Sequence, residues 1–188
     1  TNSVHLYQRP DAGLDLDSTR TSLSGNAEEI AFGKNGGNIV HFQTSYQRQS
    51  SGYELNDLGY LRRANQQSFN NWAGVNWIKP NKFYRRLTGN VNQWNYWTAD
   101  GLQLERAVNT NWHLNTTNNL FINAGTPQYQ LGSSYCDNCS RAVPAVRVSP
   151  CAHYTVVFRS DDRSMIIPAL YVRYGRIAGR RPHYSIFC

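Results

Sequence analysis

The stretch Leu102-Gln-Leu-Glu-Arg-Ala-Val-Asn-Thr-Asn-Trp-His-Leu114 decides the fold class. Its even positions are mostly apolar and only Arg106 interrupts them, while the odd positions are Gln103, Glu105, Ala107, Asn109, Asn111 and His113. Successive side chains of a strand point to opposite faces, so this pattern describes a strand with one greasy side and one wet side. Such a run is long for a globular strand, for which about 5 or 6 residues is usual. It is ample for a tilted membrane strand of roughly 9 to 11.

Working outward, Arg86 to Trp97 repeats the pattern more weakly. Leu87, Gly89 and Val91 fall on one face, and Thr88, Asn90 and Asn92 on the other. Ala99-Asp100-Gly101 joins the two stretches, and Asp-Gly is a strong hairpin signal because glycine accepts positive φ. Further strands are expected at about 27–34, 38–48, 67–78, 119–125, 153–160 and 164–175, and the two ends of the chain, 1–8 and 182–188, read as strands that have lost their context. Helical periodicity is almost absent.

The connections carry a second pattern. Asn35-Gly36-Gly37, Lys79-Pro80-Asn81-Lys82, Thr116 to Asn118 and Asp161-Asp162-Arg163 read as short turns. Long segments at 9–26, 49–66 and 126–152 fall between them, with the Asp-Gly hairpin in one of the alternate places. Short turns therefore occupy every second connection, as in barrels with short periplasmic turns and longer external loops. The expected fold is all-β: an antiparallel up-and-down meander of about ten strands, a segment of an outer-membrane β-barrel. No repeat or linker divides residues 1–188, so they read as one unit. The start at Thr1 without Met and the end at Phe187-Cys188 are expected of a piece of a longer protein.

Composition agrees with a wall wetted on one side. Charged residues make up 16% of the 188-residue chain, against roughly 25% in ordinary soluble domains. Aromatics reach 13%, with 12 Tyr and 5 Trp, residues that favour membrane interfaces. A sugar-binding surface has the same composition. The net charge is +7, but the arginines are scattered in pairs (Arg62-Arg63, Arg85-Arg86, Arg180-Arg181) with no nucleic-acid-binding motif, so anionic lipid head groups are the expected partner rather than nucleic acid. No run approaches the roughly 20 apolar residues of a membrane helix.

Three ordered blocks, Tyr7-Gln8-Arg9-Pro10-Asp11-Ala12, Arg20-Thr21-Ser22-Leu23-Ser24-Gly25 and Phe32-Gly33-Lys34, precede Asn56-Asp57-Leu58-Gly59-Tyr60-Leu61-Arg62-Arg63-Ala64. Asn92-Gln93-Trp94-Asn95, Pro144 to Pro150 and Ser160-Asp161-Asp162-Arg163 continue the series. Together they resemble a bacterial family of unknown function. In that family a β-sandwich like a family 9 carbohydrate-binding module precedes a predicted outer-membrane β-barrel, which this chain matches over nearly its whole length. The resemblance implies a bacterial outer-membrane location and, through the absent N-terminal module, a carbohydrate partner. Cys136, Cys139 and Cys151 depart from the family, where small residues are usual.

Candidate functional residues are few. Asn56, Asp57, Arg62 and Arg63 sit in a long loop, where polar residues more often carry function. The arginines offer fork-shaped donors to a carboxylate, phosphate or sugar acid. The blander reading, which is preferred, is a latch pinned by an ion pair of Asp57 with Arg62 or Arg63 and folded against the barrel mouth. His113 lies on the polar face of its strand and could line a lumen, although a solvated histidine is the ordinary expectation. Cys136-x-x-Cys139 with Cys151 and His153 has the ligand types of a zinc site, but a disulfide is the more natural reading outside the cytoplasm. Cys136–Cys151 or Cys139–Cys151 would staple the longest loop. Trp94/Trp97 and Trp72/Trp77 are expected in interface girdles, or as sugar-stacking platforms in a lectin.

No nucleophile elbow, zinc-protease motif, defensible carboxylate pair or phosphate loop is present, so no catalytic residue, metal or cofactor is assigned and enzymatic activity is not expected. The leading expectation is an outer-membrane channel, receptor or surface scaffold. The alternative is a soluble or secreted β-sandwich carbohydrate-binding module, which requires a second sheet over the apolar side of each strand.

Overall fold

The computed structural model describes residues 21–22, 24–37, 39–53, 63–137, 139, 144–161 and 163–177. Ten strands run in chain order: β1 (Ala27–Lys34), β2 (Val40–Gln49), β3 (Gln66–Trp77), β4 (Tyr84–Trp97), β5 (Gln103–Thr116), β6 (Phe121–Gln130), β7 (Ser134–Cys136), β8 (Val146–Val148), β9 (Cys151–Arg159) and β10 (Ala169–Ile177). Eight of them form one antiparallel sheet in the order β1-β2-β3-β4-β5-β6-β9-β10, while β7 and β8 pair separately. The all-β meander is thus present. Among the described residues β1 and β10 are the sheet's two edges, and the strands expected at 1–8 and 182–188 lie outside the described residues.

The two hairpins flanking β5 are built alike. In Thr98-Ala99-Asp100-Gly101-Leu102 the Thr98 amide donates to the Leu102 carbonyl at 3.0 Å, and Gly101 takes φ 87°. In Thr116-Thr117-Asn118-Asn119-Leu120 the Thr116 amide donates to the Leu120 carbonyl at 3.0 Å, and Asn119 takes φ 60°. Each is a three-residue loop closed by a left-handed residue, where glycine and asparagine have the smallest steric penalty. In each, the opening threonine hydroxyl accepts the leucine amide, at 3.1 and 3.0 Å. Asn81 closes the β3–β4 turn through its Oδ1, which accepts from the amides of Phe83 and Tyr84.

Three differences from the sequence reading have local causes. β6 continues through Pro127 to Gln130, and its pairing with both neighbours is broken around Thr126 to Gln128. A residue without an N–H is tolerated at such a bulge. β10 begins at Ala169, not 164, because the chain before it turns back, with the Ser160 amide donating to the Pro168 carbonyl and the Ser164 amide to the Asp161 carbonyl. A register shift between Tyr96↔Glu105 and Trp97↔Gln103 turns Leu104 out of the apolar row and into a cavity on the polar side.

Register now sorts the side chains. One face carries Ile30 and Phe32 of β1, Phe42 of β2, Phe69 of β3, Val91 of β4, Trp112 of β5, Tyr129 of β6, Tyr154 and Phe158 of β9, and Leu170, Val172 and Tyr174 of β10, all exposed. Only Ala64, Ala107 and Cys151 are buried apolar residues among those described. The described residues of this sheet enclose no apolar interior of their own. Its apolar surface points outward across all eight strands. Lys34, Arg48 and Arg106 share this face as exposed cations, and several of its neutral polar residues are bonded to one another. The Thr44 hydroxyl donates to Asn71 Oδ1 at 2.7 Å and Asn71 Nδ2 to Gln93 Oε1 at 2.6 Å, while the Tyr46 hydroxyl donates to Gln67 Oε1 at 2.7 Å.

Candidate functional site

The opposite face is wet. Asn90↔Asn111 and Asn92↔Asn109 are directly opposed across β4 and β5, which brings four side-chain amides into one square. Asn92 Nδ2 donates to Asn109 Oδ1 at 2.5 Å and to Asn90 Oδ1 at 3.0 Å, and Asn111 Nδ2 donates to Asn90 Oδ1 at 3.0 Å. A primary amide has two donors and a two-lone-pair acceptor. Each of the four therefore keeps polar capacity beyond the square. On the same face β3 contributes Asn70 and Trp72, and β4 contributes Trp94 and Tyr96. With Gln43, Ser45 and Asn109 these line a cavity of about 490 Å³.

A second cavity, of about 780 Å³, adjoins the first, since Asn70 and Tyr96 line both. Its floor is the polar face towards the long connections (Gln47, Ser68, Glu105). Its far wall is the β7–β8 hairpin, through Ser134, Tyr135 and Val148. The connection expected as a loop at 126–152 thus holds a two-stranded element lying against the wet face of the sheet. Arg63, just before β3, clamps it: the guanidinium Nη2 donates to Asp137 Oδ1 at 2.5 Å, with both side chains largely shielded. Glu105 accepts from Gln128 Nε2 at 2.8 Å beneath the hairpin.

Of the sequence candidates, Asn56, Asp57 and Arg62 lie outside the described residues. Arg63 engages Asp137 rather than a residue of its own block. His113 lies on the wet face of β5 towards its other end, where Nδ1 and Asn123 Oδ1 are 2.6 Å apart, so it is not gathered with Arg63. Cys136 and Cys139 are bonded to each other, their Cα atoms 5.4 Å apart, which corrects the expected pairing of either with Cys151. Cys151 is itself disulfide-bonded. With these cysteines oxidised, the weighed zinc set of Cys136, Cys139, Cys151 and His153 is not assembled. At the opposite end of the sheet, Arg163 and Asn119 both donate to Asp161, joining the β9–β10 turn to the β5–β6 turn. These bonds hold the Asp161 carboxyl well below the ordinary aspartate range, with hydrogen bonding from Arg163 the largest cause.

Trp72 and Trp94 also depart from expectation. Both lie on the wet face and not in a girdle, Trp72 in mid-strand and Trp94 three residues before the end of β4; Trp77 and Trp97 close their strands on the apolar face. The separations of five and three residues are odd, and odd separations put the members of each pair on opposite sides. The signal for the cavity residues was therefore in the sequence, as the spacing of the tryptophans and the Asn-x-Asn repeats at 90–92 and 109–111.

A family model for a domain of unknown function, DUF5916, matches residues 9–182. The chain belongs to that family. No curated protein and no solved structure matches this DUF5916 chain, so what its cavities hold rests on their own chemistry.

Proposed function

We propose that this DUF5916 chain is a membrane-spanning segment of a bacterial outer-membrane β-barrel, serving as a channel, receptor or surface scaffold. The observation that carries the reading is the two-faced sheet. Apolar side chains are exposed across all eight strands on one side, and amides and hydroxyls collect on the other. Exposed apolar patches of this extent mark a surface covered by something apolar. Lipid tails fit that role, because strands can cross a bilayer only when their backbone groups are paired with neighbouring strands. The lengths of β3, β4 and β5 (12, 14 and 14 residues) suit tilted crossing strands. The cross-bonded Thr44-Asn71-Gln93 chain lowers the cost of keeping polar groups on a lipid-facing side.

A soluble sandwich needs a second sheet over the apolar face; the additional strand pair, β7–β8, lies against the wet face instead. The test is refolding of the full chain with and without detergent, followed by sheet circular dichroism and by gel mobility before and after boiling. Folding only in detergent, with a compact band that boiling abolishes, is the expected result. A monodisperse, sheet-rich protein in plain buffer overturns it.

A further inference from the structure

We infer that the wet face carries a binding site for a neutral oligosaccharide, centred on Trp72, Trp94 and the asparagine square. Three observations converge on this ligand class. The first is the aromatic arrangement. Trp72 lies opposite Asn92, and Trp94 lies opposite Asn70, so the two indoles are diagonal neighbours on adjacent strands. Tyr96, two residues beyond Trp94 on the same face, continues the row towards the hairpin-covered cavity. An aromatic face carries negative charge density, which attracts the weakly positive C–H groups on the face of a pyranose ring. Gly74 permits the arrangement: a Cβ there would come within 2.7 Å of the Trp72 indole, so any side chain at 74 displaces the platform.

The second observation is the amide surround. Sugar hydroxyls both donate and accept, and side-chain amides are the groups that match both roles from one side chain. The square uses only part of its capacity internally, and two of its members, Asn92 and Asn109, line the cavity beside the two indoles. The third observation is that no charged side chain is among the described residues that line the 490 Å³ cavity. A nucleic acid or a sugar acid could stack on the same rings. Its phosphates or carboxylates would then be desolvated without a cationic partner, at a cost of several kcal/mol. The cavity lies within the roughly 300 to 1,000 Å³ typical of small-ligand sites. Its continuity with the larger cavity through Asn70 and Tyr96 gives an elongated chain room to extend.

The site deepens the proposed function by naming a ligand class, but it does not depend on the membrane. It is tested on the folded chain in whichever medium, detergent or buffer, sustains the fold. Maltohexaose, cellohexaose, xylohexaose and chitohexaose are titrated while tryptophan fluorescence is followed, with hexagalacturonate as the charged probe. The expected result is saturable quenching by at least one neutral hexasaccharide and none by hexagalacturonate. Trp94→Ala weakens that binding about tenfold or more, Trp94→Phe retains most of it, and Trp77→Ala, on the apolar face, leaves it unchanged. Gly74→Val, which displaces Trp72 without removing an aromatic ring, weakens binding as well. If Trp94→Ala fails to fold, Asn109→Ala together with Gly74→Val decides the matter. Folded protein that binds none of the four neutral chains overturns the inference. So does binding that Trp94→Ala and Gly74→Val both leave intact, or binding that prefers hexagalacturonate. Detergent-independent folding would refute the membrane reading and leave this result standing.

Discussion

Val91→Arg separates a lipid-facing strand from a water-facing one. Val91 sits at the centre of β4, between Ala73 of β3 and Thr110 of β5, on the apolar face, and is 47% exposed. The substitution removes no side-chain hydrogen bond and opens no cavity, since the valine is unburied. In water its cost therefore stays within about 0.5 kcal/mol. At the midplane of a bilayer an arginine on the lipid face of a barrel costs about 2–4 kcal/mol. That corresponds to roughly a 30- to 700-fold loss in the folding equilibrium. Ile78→Arg supplies the depth control. Ile78 lies one residue past the end of β3 and is exposed, so an arginine there sits near the interface and costs about 0–1 kcal/mol. The assay is urea-dependent folding of the full chain into phosphatidylcholine vesicles, followed by tryptophan fluorescence, with plain buffer in parallel. A penalty for Val91→Arg that exceeds that of Ile78→Arg by more than about 1 kcal/mol in vesicles is expected. Equal penalties at the two sites would refute the placement of this face in lipid. A large penalty for Val91→Arg in plain buffer would instead show a protein surface packed against it.

Two further outcomes follow from the ends of the sheet. Arg63→Ala and Asp137→Ala should each weaken the β7–β8 clamp by about 1 kcal/mol, near the upper end for ion pairs that are not fully buried. Each should speed hydrogen exchange in the hairpin, and the double variant should add nothing to either single change; additive effects would mean that the two residues act separately. The Asp161 carboxyl should titrate below the ordinary aspartate value of about 3.9, because Arg163 stabilises its charged form. A folded-state value below the unfolded one contributes stability that is present above pH about 4 and is lost only as pH falls through the lower, folded value. Carboxyl NMR titration checks this, and a midpoint at the ordinary value, or one unmoved by Arg163→Ala, refutes it.

Local chemistry made much of this architecture legible. The alternation at Leu102–Leu114, the Asp-Gly signal and the staggered loop lengths led to an antiparallel meander, because strand periodicity and turn residues act over a few neighbours. They also placed His113 on the polar side. The odd separation of Trp72 from Trp77, and of Trp94 from Trp97, contained the facing of the cavity tryptophans too, provided that parity is weighed above proximity to strand ends. Chain-local information ended where partners are distant in sequence. Asp137 as the partner of Arg63 and the bulge that moves Leu104 each depend on which segments meet. The β7–β8 pair within the 126–152 connection could not be read as lying against the wet face, because nothing in its own residues specifies which side of the sheet it covers. The asparagine square is the clearest case. Asn90, Asn92, Asn109 and Asn111 are ordinary polar positions of two strands until the hairpin register opposes them, and only that register turns four separate amides into one surface.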